Sequence, residues 1–272
     1  MPWSSEHTSW FSRIDSDLKS KDGKEICLLE YNHDLADKAV LSKWAKHFRN
    51  HYCFDNEIDF LRDGTGLSRK DFLIQLKFPT EARGFGPGIR SGDFSEILVA
   101  DYIEYILGYW VPRTRYGNKT IRDESTKGTD LIGFKLYDEN KTPKDILKMF
   151  EVKAQYSGNE AKPRLQDAID DSIKDDLRKA ESLNAIKQRL FDKGKTEEAL
   201  KVARFQNQVD IPYTSEYGVA ALYSNDIYDE DVVINSDTSA HPYNSALFLI
   251  VVKGDDMMKL AHKLFEIAAD ES

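Results

Sequence analysis

The segment ILKMFEVKAQ, residues 146–155, combines a strand-like apolar pattern with three polar side chains at alternating positions. Side chains alternate between the two faces of a strand, so the later apolar residues share one face while Glu151, Lys153 and Gln155 share the other. An acid, a base and an amide in one row predict either an edge strand with a solvated face or a strand that carries catalytic groups. The choice depends on which other residues the fold brings to this strand.

The composition of the chain is that of a globular protein. Its 272 residues, 40% hydrophobic and 31% charged, suffice for a large hydrophobic core. The sequence has neither a run of about 20 apolar residues nor a secretory signal pattern, and Cys27 and Cys53 lack metal-ligand spacing. We therefore expect a reduced, cytoplasmic protein without membrane association. The net charge of −9 argues against a chain that binds DNA tightly by itself, because phosphate binding favours a basic surface.

The first 79 residues predict a mixed α/β region. Strand-like patterns cover Lys24–Tyr31 and Asp71–Phe78, and the segment between them has the helical spacing of apolar residues. His47 and His51 lie one turn apart in that helix, which is a metal-ligand spacing. The pattern assigns them no acid or cysteine partner, so we expect both to lie on the surface.

A glycine- and proline-rich loop, Arg83–Asp93, precedes a well-marked helix. Ser91 or Asp93 can cap this helix, and a broad apolar stripe follows. Glu96 lies on a side of the helix that faces protein, where an acid is either paired or functional, since an unpaired buried carboxylate is costly. Asp101 is a rival for the same role, and an acid near a helix start can also be stabilised simply by the helix dipole.

The rest of the chain predicts a central sheet with flanking helices. Three strand candidates come in succession, followed by two helices broken near Gly194, two further strands and a final amphipathic helix. No repeat or linker interrupts this order, so we expect one α/β domain with a central mixed sheet flanked by helices. The predicted segments are strands Tyr109–Tyr116, Asp130–Tyr137, Ile146–Gln155, Tyr217–Ser224 and Ala246–Lys253, and helices within Leu165–Asn207 and after Lys253.

The acids of two successive strand candidates suggest a metal site. If these strands pair as neighbours, Asp130 at the start of one and Glu151 in the other converge at one end of the sheet. Two carboxylates there form an oxygen site suited to Mg²⁺, which polarises a phosphodiester and lowers the pKa of an attacking water. Lys153 places a compact positive charge beside the same phosphate, and Gln155 can position the water. The row on the strand is therefore what metal-dependent phosphodiester hydrolysis requires.

This arrangement resembles the PD-(D/E)XK nuclease superfamily. The matching features are G-T-D before an apolar strand, E-V-K in a strand that ends with Gln, and an acid-bearing helix ahead of both. The resemblance implies a restriction-endonuclease-like core in which Asp130 is the motif Asp and Glu151 and Lys153 are the E-x-K. Glu96 is then the additional acid from the helix. No proline precedes Asp130, a departure that leaves the chemistry intact. The implied metal is Mg²⁺ or Mn²⁺, with Asp130, Glu151 and Glu96 as its ligands, and the implied catalytic residues are these three with Lys153 and Gln155.

A narrower resemblance rests on the segments SGDFSEILVADYI, KGTDLIGFKL and FEVKAQ. They are similar to the HamA family, the nuclease subunits of the Hachiman anti-phage defence system. The resemblance implies a DNA nuclease that works with a helicase partner, HamB, which restrains it until infection. We expect a nuclease core over residues 80–272 with a helical insertion at 165–207. The N-terminal α/β region, residues 1–79, is the first candidate for the partner contact, and the helices within Leu165–Asn207 are the second. The acidic net charge agrees with a partner that holds the DNA.

Two alternatives belong to other functional classes. One is a stand-alone restriction or repair-type nuclease of the same superfamily, with its own DNA-binding surface. The other is a non-catalytic subunit that keeps the fold for partner binding. The intact set of Asp130, Glu151 and Lys153 argues against the second, because a degenerate site usually loses one of them.

Overall fold

The structure, a computed structural model, describes residues 3–82, 84–138 and 142–272. A six-stranded sheet crosses the molecule in the order β1-β2-β6-β5-β4-β3. The two edge strands run antiparallel to their neighbours, whereas β2, β6, β5 and β4 are parallel to one another. The strands are β1 (Phe11–Arg13), β2 (Ile26–Tyr31), β3 (Leu131–Lys135), β4 (Ile146–Gln155), β5 (Thr214–Ser224) and β6 (Leu247–Gly254).

Helices cover both faces of the sheet. One hydrophobic core lies between the sheet and α1, α4 and α9, and the other lies between the sheet and α5, α6 and α7. Parallel strands need such cover because both of their faces are buried. The helices are α1 (Lys38–Tyr52), α2 (Asp55–Arg62), α3 (Arg69–Phe72), α4 (Gly86–Asp101), α5 (Arg164–Ser172), α6 (Asp175–Asp192), α7 (Thr196–Ala203), α8 (Glu230–Ile234) and α9 (Met257–Asp270). The predicted α/β fold with a central mixed sheet is confirmed, and this architecture is compatible with an α/β nuclease core.

Strand β4 lies inside the sheet, so the edge-strand interpretation of its polar face is wrong. It pairs antiparallel with β3 over residues 146–150 and parallel with β5 along its whole length. Beyond residue 150 the β3 side of β4 is open to the segment that leads into β3. The polar end of β4 therefore lies where a neighbouring strand stops, and side chains from that segment can reach it.

Strands from the first 79 residues belong to the same sheet as those that follow. β2 pairs with β6, and β1 pairs with β2. The boundary between residues 79 and 80 stays a prediction. Within the described residues, no helix has both the length and the apolar character that crossing a membrane requires.

The strand predicted over Asp71–Phe78 is wrong, because this segment is helical. α3 continues into a π-helical turn, Leu73–Lys77, and the Ser68 side chain accepts a hydrogen bond from the Asp71 backbone at the start. Leu73 is fully buried while the two apolar residues after it in the turn are substantially exposed. One buried stripe on a helical segment therefore produced an alternation that is typical of a strand.

The strand predicted over Tyr109–Tyr116 is also wrong. Only Trp110 forms a bridge, to Phe134 of β3. Pro112 has no backbone N–H for a ladder, and Arg113 and Arg115 after it reach into buried acidic groups instead of alternating on a sheet.

Two helix boundaries differ from the prediction. α4 begins at Gly86 with proline in its first turn, so neither Ser91 nor Asp93 caps it. Asp93 is buried inside the helix, where its carboxylate accepts hydrogen bonds from Tyr52 and Lys119. Arg83, in the predicted loop, lies outside the described residues. The helical segment after residue 164 forms three helices and not two, although its break at Gly194, with a φ of +70°, is confirmed.

Candidate active site

Asp130 is held directly against the polar end of β4. It precedes β3, whose first residue pairs with Phe150, and its Oδ2 accepts a hydrogen bond from the Val152 backbone N–H at 3.0 Å. This hydrogen bond lies just beyond the last β3–β4 pair, so the Asp130 side chain takes the place of a backbone partner for Val152. The sequence places Asp130 beside Glu151 because the two strands are antiparallel neighbours in this register.

Lys153 bridges two acids at the end of β4. Its Nζ donates to Glu151 Oε1 at 2.5 Å and lies 3.0 Å from Asp171 Oδ2 on α5. Burial lowers the pKa of Lys153, but the charge of Glu151 raises it further, and the result lies above the ordinary value. The ammonium group is therefore charged and partly exposed, and it does not point into the apolar core.

Glu151 carries a buried oxygen with no hydrogen-bond partner. Only 4% of the residue is exposed, and Oε2 is the unpartnered atom. Burial raises the pKa of Glu151, the negative charge of Asp130 adds to this, and Lys153 opposes it. A buried carboxylate oxygen without a donor is costly, so this atom needs either a proton or a cation. The residues present therefore fit a divalent cation.

Glu96 approaches the same strand end from α4 and is already partnered. Its Oε2 accepts a hydrogen bond from the Tyr116 hydroxyl at 2.5 Å and lies 3.1 Å from Arg115 Nε. Arg115 Nη2 donates in turn to Asp130 Oδ1 at 2.9 Å. Burial raises the pKa of Glu96 despite the opposing charge of Arg115. Arg115 thus connects the two acids through one guanidinium group.

The sheet separates the acids into two sides. Phe150 and Val152 face the core with α1, α4 and α9, whereas Leu147 and Met149 face α5 and α6. By alternation Glu151 points to the α5 side, as the contact of Lys153 with Asp171 shows, while Glu96 comes from the α4 side. Asp130 lies between them, directly before the first residue of β3. Its charge acts on both Glu96 and Glu151.

Gln155 holds a loop. Its Oε1 accepts a hydrogen bond from the Lys162 backbone N–H at 2.7 Å, and its Nε2 donates to the Glu160 carbonyl at 2.9 Å. These bonds fix the turn between β4 and α5. The predicted role of Gln155 in positioning water stays a prediction, and the structure adds a structural role that the sequence did not indicate.

A cleft of about 660 Å³ opens at this end of the sheet. Four of the five predicted site residues line it, and Glu151 does not. The side chains of Lys162, Arg164 and His262 also line it. The predicted site residues in the lining are Glu96, Asp130, Lys153 and Gln155.

His47 and His51 are buried, so the prediction that they lie on the surface is wrong. They meet Asp101, the rival acid on α4, which the sequence gave no reason to place near them. His47 Nε2 lies 3.0 Å from Asp101 Oδ1, and His7 Nε2 lies 2.9 Å from Asp101 Oδ2. Among the described residues, His47, His51 and Asp101 are the one trio of His, Cys, Asp or Glu whose ligand atoms lie within 4.8 Å of one another.

The contacts with Arg113 account for this trio without a metal. Arg113 Nη2 lies 2.6 Å from Asp101 Oδ1, and its Nη1 lies 2.9 Å from His51 Nε2, so a guanidinium cation already contacts two of the three ligand atoms. The Ser4 backbone N–H donates to His47 Nδ1, which leaves the proton of the neutral ring on Nε2, the nitrogen that faces Asp101. A protonated nitrogen cannot coordinate a metal. We interpret the cluster as a buried charge network.

Sequence reasoning missed the basic and acidic residues that surround the predicted set. Arg115, Asp171 and Asp175 all act on the site residues through contacts or charge. The two aspartates belong to α5 and α6. Nothing in the helical period distinguishes them from their exposed neighbours.

Comparison with known proteins identifies the family of the chain. A model of the HamA family matches residues 6–268, which is most of the 272 residues. No curated protein matches the chain significantly. The match includes α4, the start of β3 and the whole of β4. The chain therefore belongs to the HamA family.

Proposed function

We propose that this protein is a metal-dependent DNA nuclease, the effector subunit of a Hachiman anti-phage helicase–nuclease complex. The observation that carries the proposal is the contact between Glu151 and Lys153 on an interior strand, directly beside Asp130 at the edge of an open cleft. The unpartnered Glu151 Oε2 supports a cation in the working state. Membership in the HamA family supports the Hachiman association.

The proposed cofactor is Mg²⁺ or Mn²⁺, held by Asp130 and Glu151 with Glu96 nearby. When bound, such an ion polarises the phosphodiester and lowers the pKa of a coordinated water. Lys153 keeps its positive charge at this position, and it stabilises the negative charge that develops on the phosphate. Arg115 holds Asp130 and Glu96 in place through its contacts with both carboxylates.

The proposed substrate is DNA. Lys162 and Arg164 line the same cleft as the acids and provide positive charge for a phosphate backbone. The chain as a whole carries a net charge of −9, which disfavours tight binding of nucleic acid by this subunit alone. A HamB-like helicase therefore holds the DNA in our proposal, and it restrains the nuclease until infection.

Two surfaces are candidates for the helicase contact. In the N-terminal region, Phe60 on α2 is 84% exposed and Leu76 is 50% exposed. In the helical insertion, Leu177 on α6 is 84% exposed and Leu200 on α7 is 64% exposed. Large exposed apolar side chains on one surface are typical of protein contacts. We favour the N-terminal surface as the docking site.

The nuclease proposal is tested by plasmid cleavage with the purified helicase complex in Mg²⁺. Glu151→Gln and Lys153→Met should each lower the cleavage rate at least about 100-fold, because each removes a charge next to the reacting phosphate. Matched controls are Glu198→Gln and Lys195→Met, which disrupt an exposed ion pair on α7 and should leave cleavage unchanged. Full cleavage by Glu151→Gln, or full cleavage in excess chelator, would refute the proposal.

The partner proposal is tested by co-purification with the helicase. The double variant Phe60→Ser with Leu76→Ser should lose the complex, whereas Leu177→Ser with Leu200→Ser should keep it. The opposite result would move the contact to the helical insertion. A chain that cuts DNA rapidly without any helicase, with affinity that falls steeply in salt, would favour the stand-alone nuclease.

A further inference from the structure

Asp175 is a buried acid that the nuclease motif does not include. It is the first residue of α6 and is completely inaccessible to solvent. Neither of its carboxylate oxygens has a hydrogen-bond partner of good geometry, although the Thr129 hydroxyl is close enough to lower its pKa. Burial and the charge of Asp130 outweigh this and raise the pKa of Asp175 to about 7.

The side of α6 that carries Asp175 faces the start of β3. Ser182, two helical turns later on the same face, accepts a hydrogen bond from the Thr129 backbone N–H at 3.2 Å. Thr129 directly precedes Asp130, so this face of α6 lies against the candidate ligands. The charge of Asp175 also acts on Glu151, whose Oε2 is the other unpartnered carboxylate oxygen of the site.

Helix stabilisation does not account for Asp175. An acid in the first turn is favourable when it is exposed or paired, and the next residue, Asp176, meets that description. Asp176 accepts hydrogen bonds from Lys179 at 2.9 Å and from the Tyr217 hydroxyl at 3.1 Å. Asp175 has no such partner. The free-energy cost of burying an unpartnered carboxylate exceeds the stabilisation that a helix dipole provides.

We propose that Asp175 is a ligand of a divalent cation that it shares with Glu151 Oε2. Glu96 is less suited to this position, because Tyr116 and Arg115 already contact its Oε2 and it approaches from the other side of the sheet. Mg²⁺ and Mn²⁺ commonly use one or two carboxylates and complete their coordination with water and substrate phosphate. Asp175 and Glu151 supply carboxylates of this kind, beside the Asp130 carboxylate of the proposed site.

This inference rests on the proposed metal-dependent nuclease and adds a ligand to its site. It gives the helical insertion a direct part in the chemistry, because α5 and α6 then supply Asp171 to Lys153 and Asp175 to the cation. Movement of α6 relative to the sheet would change the affinity for the cation.

The test is binding of Mn²⁺ to the full-length chain, measured by electron paramagnetic resonance. Asp175→Asn should weaken binding at least tenfold, with Asp175→Ser as a second variant. Asp176→Asn, which removes a charge from the same helical turn, should bind as the wild type does. The rise in Tm caused by Mn²⁺ is measured for each variant against its own metal-free value, so a general loss of stability does not imitate the loss of a ligand.

Glu151→Gln separates this inference from the proposed function. Weaker Mn²⁺ binding in both Glu151→Gln and Asp175→Asn supports both. Weaker binding in Glu151→Gln with wild-type binding in both Asp175 variants overturns the role of Asp175 and leaves the nuclease proposal intact. A wild-type chain that binds no Mn²⁺ overturns both.

Discussion

Arg115 Nη2 lies 2.9 Å from Asp130 Oδ1, and the same guanidinium reaches the backbone carbonyls of Thr126, Thr129 and Asp130. Its Nε lies 3.1 Å from Glu96 Oε2. The Arg115 side chain therefore fixes both the loop that leads into β3 and the carboxylate of Asp130, which is the last residue of that loop. The forked geometry of arginine makes this possible, and lysine cannot reproduce it.

Arg115→Met should destabilise the protein by about 3–5 kcal/mol, because it leaves the buried carboxylate of Glu96 and the partly buried carboxylate of Asp130 without their counter-charge. Arg115→Lys keeps the charge but loses most of the hydrogen bonds, and we expect a loss of about 1–3 kcal/mol. Urea unfolding of the metal-free chain measures both. Arg62→Met, at an exposed ion pair with Asp59, is the control and should cost at most about 1 kcal/mol. Equal costs for Arg62→Met and Arg115→Met would contradict this assignment.

Strand and helix periodicity predicted the parts of the fold in which packing alone decides the structure. β4 has the predicted bounds, and β5, β6 and the C-terminal helix lie where their apolar patterns indicate. The pairing of β3 with β4 also follows the prediction, and it brings Asp130 to Glu151. Periodicity gave the wrong element where the buried stripe of a helix was short, as in Asp71–Phe78, which was predicted as a strand and is helical.

Contacts between distant charged residues could not be predicted from the sequence. Arg113 and Arg115 have the alternating spacing of strand residues, yet acids on other elements determine where their side chains lie. The acid that lies against His47 and His51 is Asp101, which belongs to a separate helix far away in the sequence. Such pairs depend on how helices pack on the sheet, and one-dimensional patterns do not contain that information.

The buried histidines predict a loss of stability in mild acid. Burial lowers the pKa of His47 to about 4 and holds that of His51 well below its ordinary value. The unfolded chain binds these protons near pH 6.5, whereas the folded protein does not, so their contribution to stability is present above about pH 6.5 and is lost as the pH falls towards 4. His47→Gln and His51→Gln should each flatten the dependence of the unfolding free energy on pH in this window. A wild-type free energy that stays constant from pH 7 to 4.5 would contradict the assignment.

Among the described residues of this network, Asp101 is the carboxylate that contacts Arg113 and also His7 and His47. Asp101→Asn leaves the guanidinium with Glu104 alone and should cost about 3–5 kcal/mol in urea unfolding. Zn²⁺ should leave the Tm of the wild type unchanged, because Arg113 already contacts Asp101 and His51. A large increase of Tm in Zn²⁺ that His51→Gln abolishes would show a metal site instead.

The Phe150 ring packs directly over Gly218 of β5, where there is no room for a side chain. A Cβ added at Gly218 would overlap three atoms of that ring, and Phe150 directly precedes Glu151 on the paired strand. Gly218→Ala should therefore cost about 1–3 kcal/mol in urea unfolding and should also lower the cleavage rate, because the displaced ring moves the acid that follows it. Gly92→Ala in α4 is the control: its Cβ meets nothing within 4 Å, and we expect a gain in stability of about 0.5–1 kcal/mol.

A second variant tests the steric explanation for Gly218. Adding Phe150→Leu to Gly218→Ala should restore part of the lost stability, since the smaller side chain relieves the overlap. If the double variant were less stable than the sum of the two single losses, the steric explanation would be wrong.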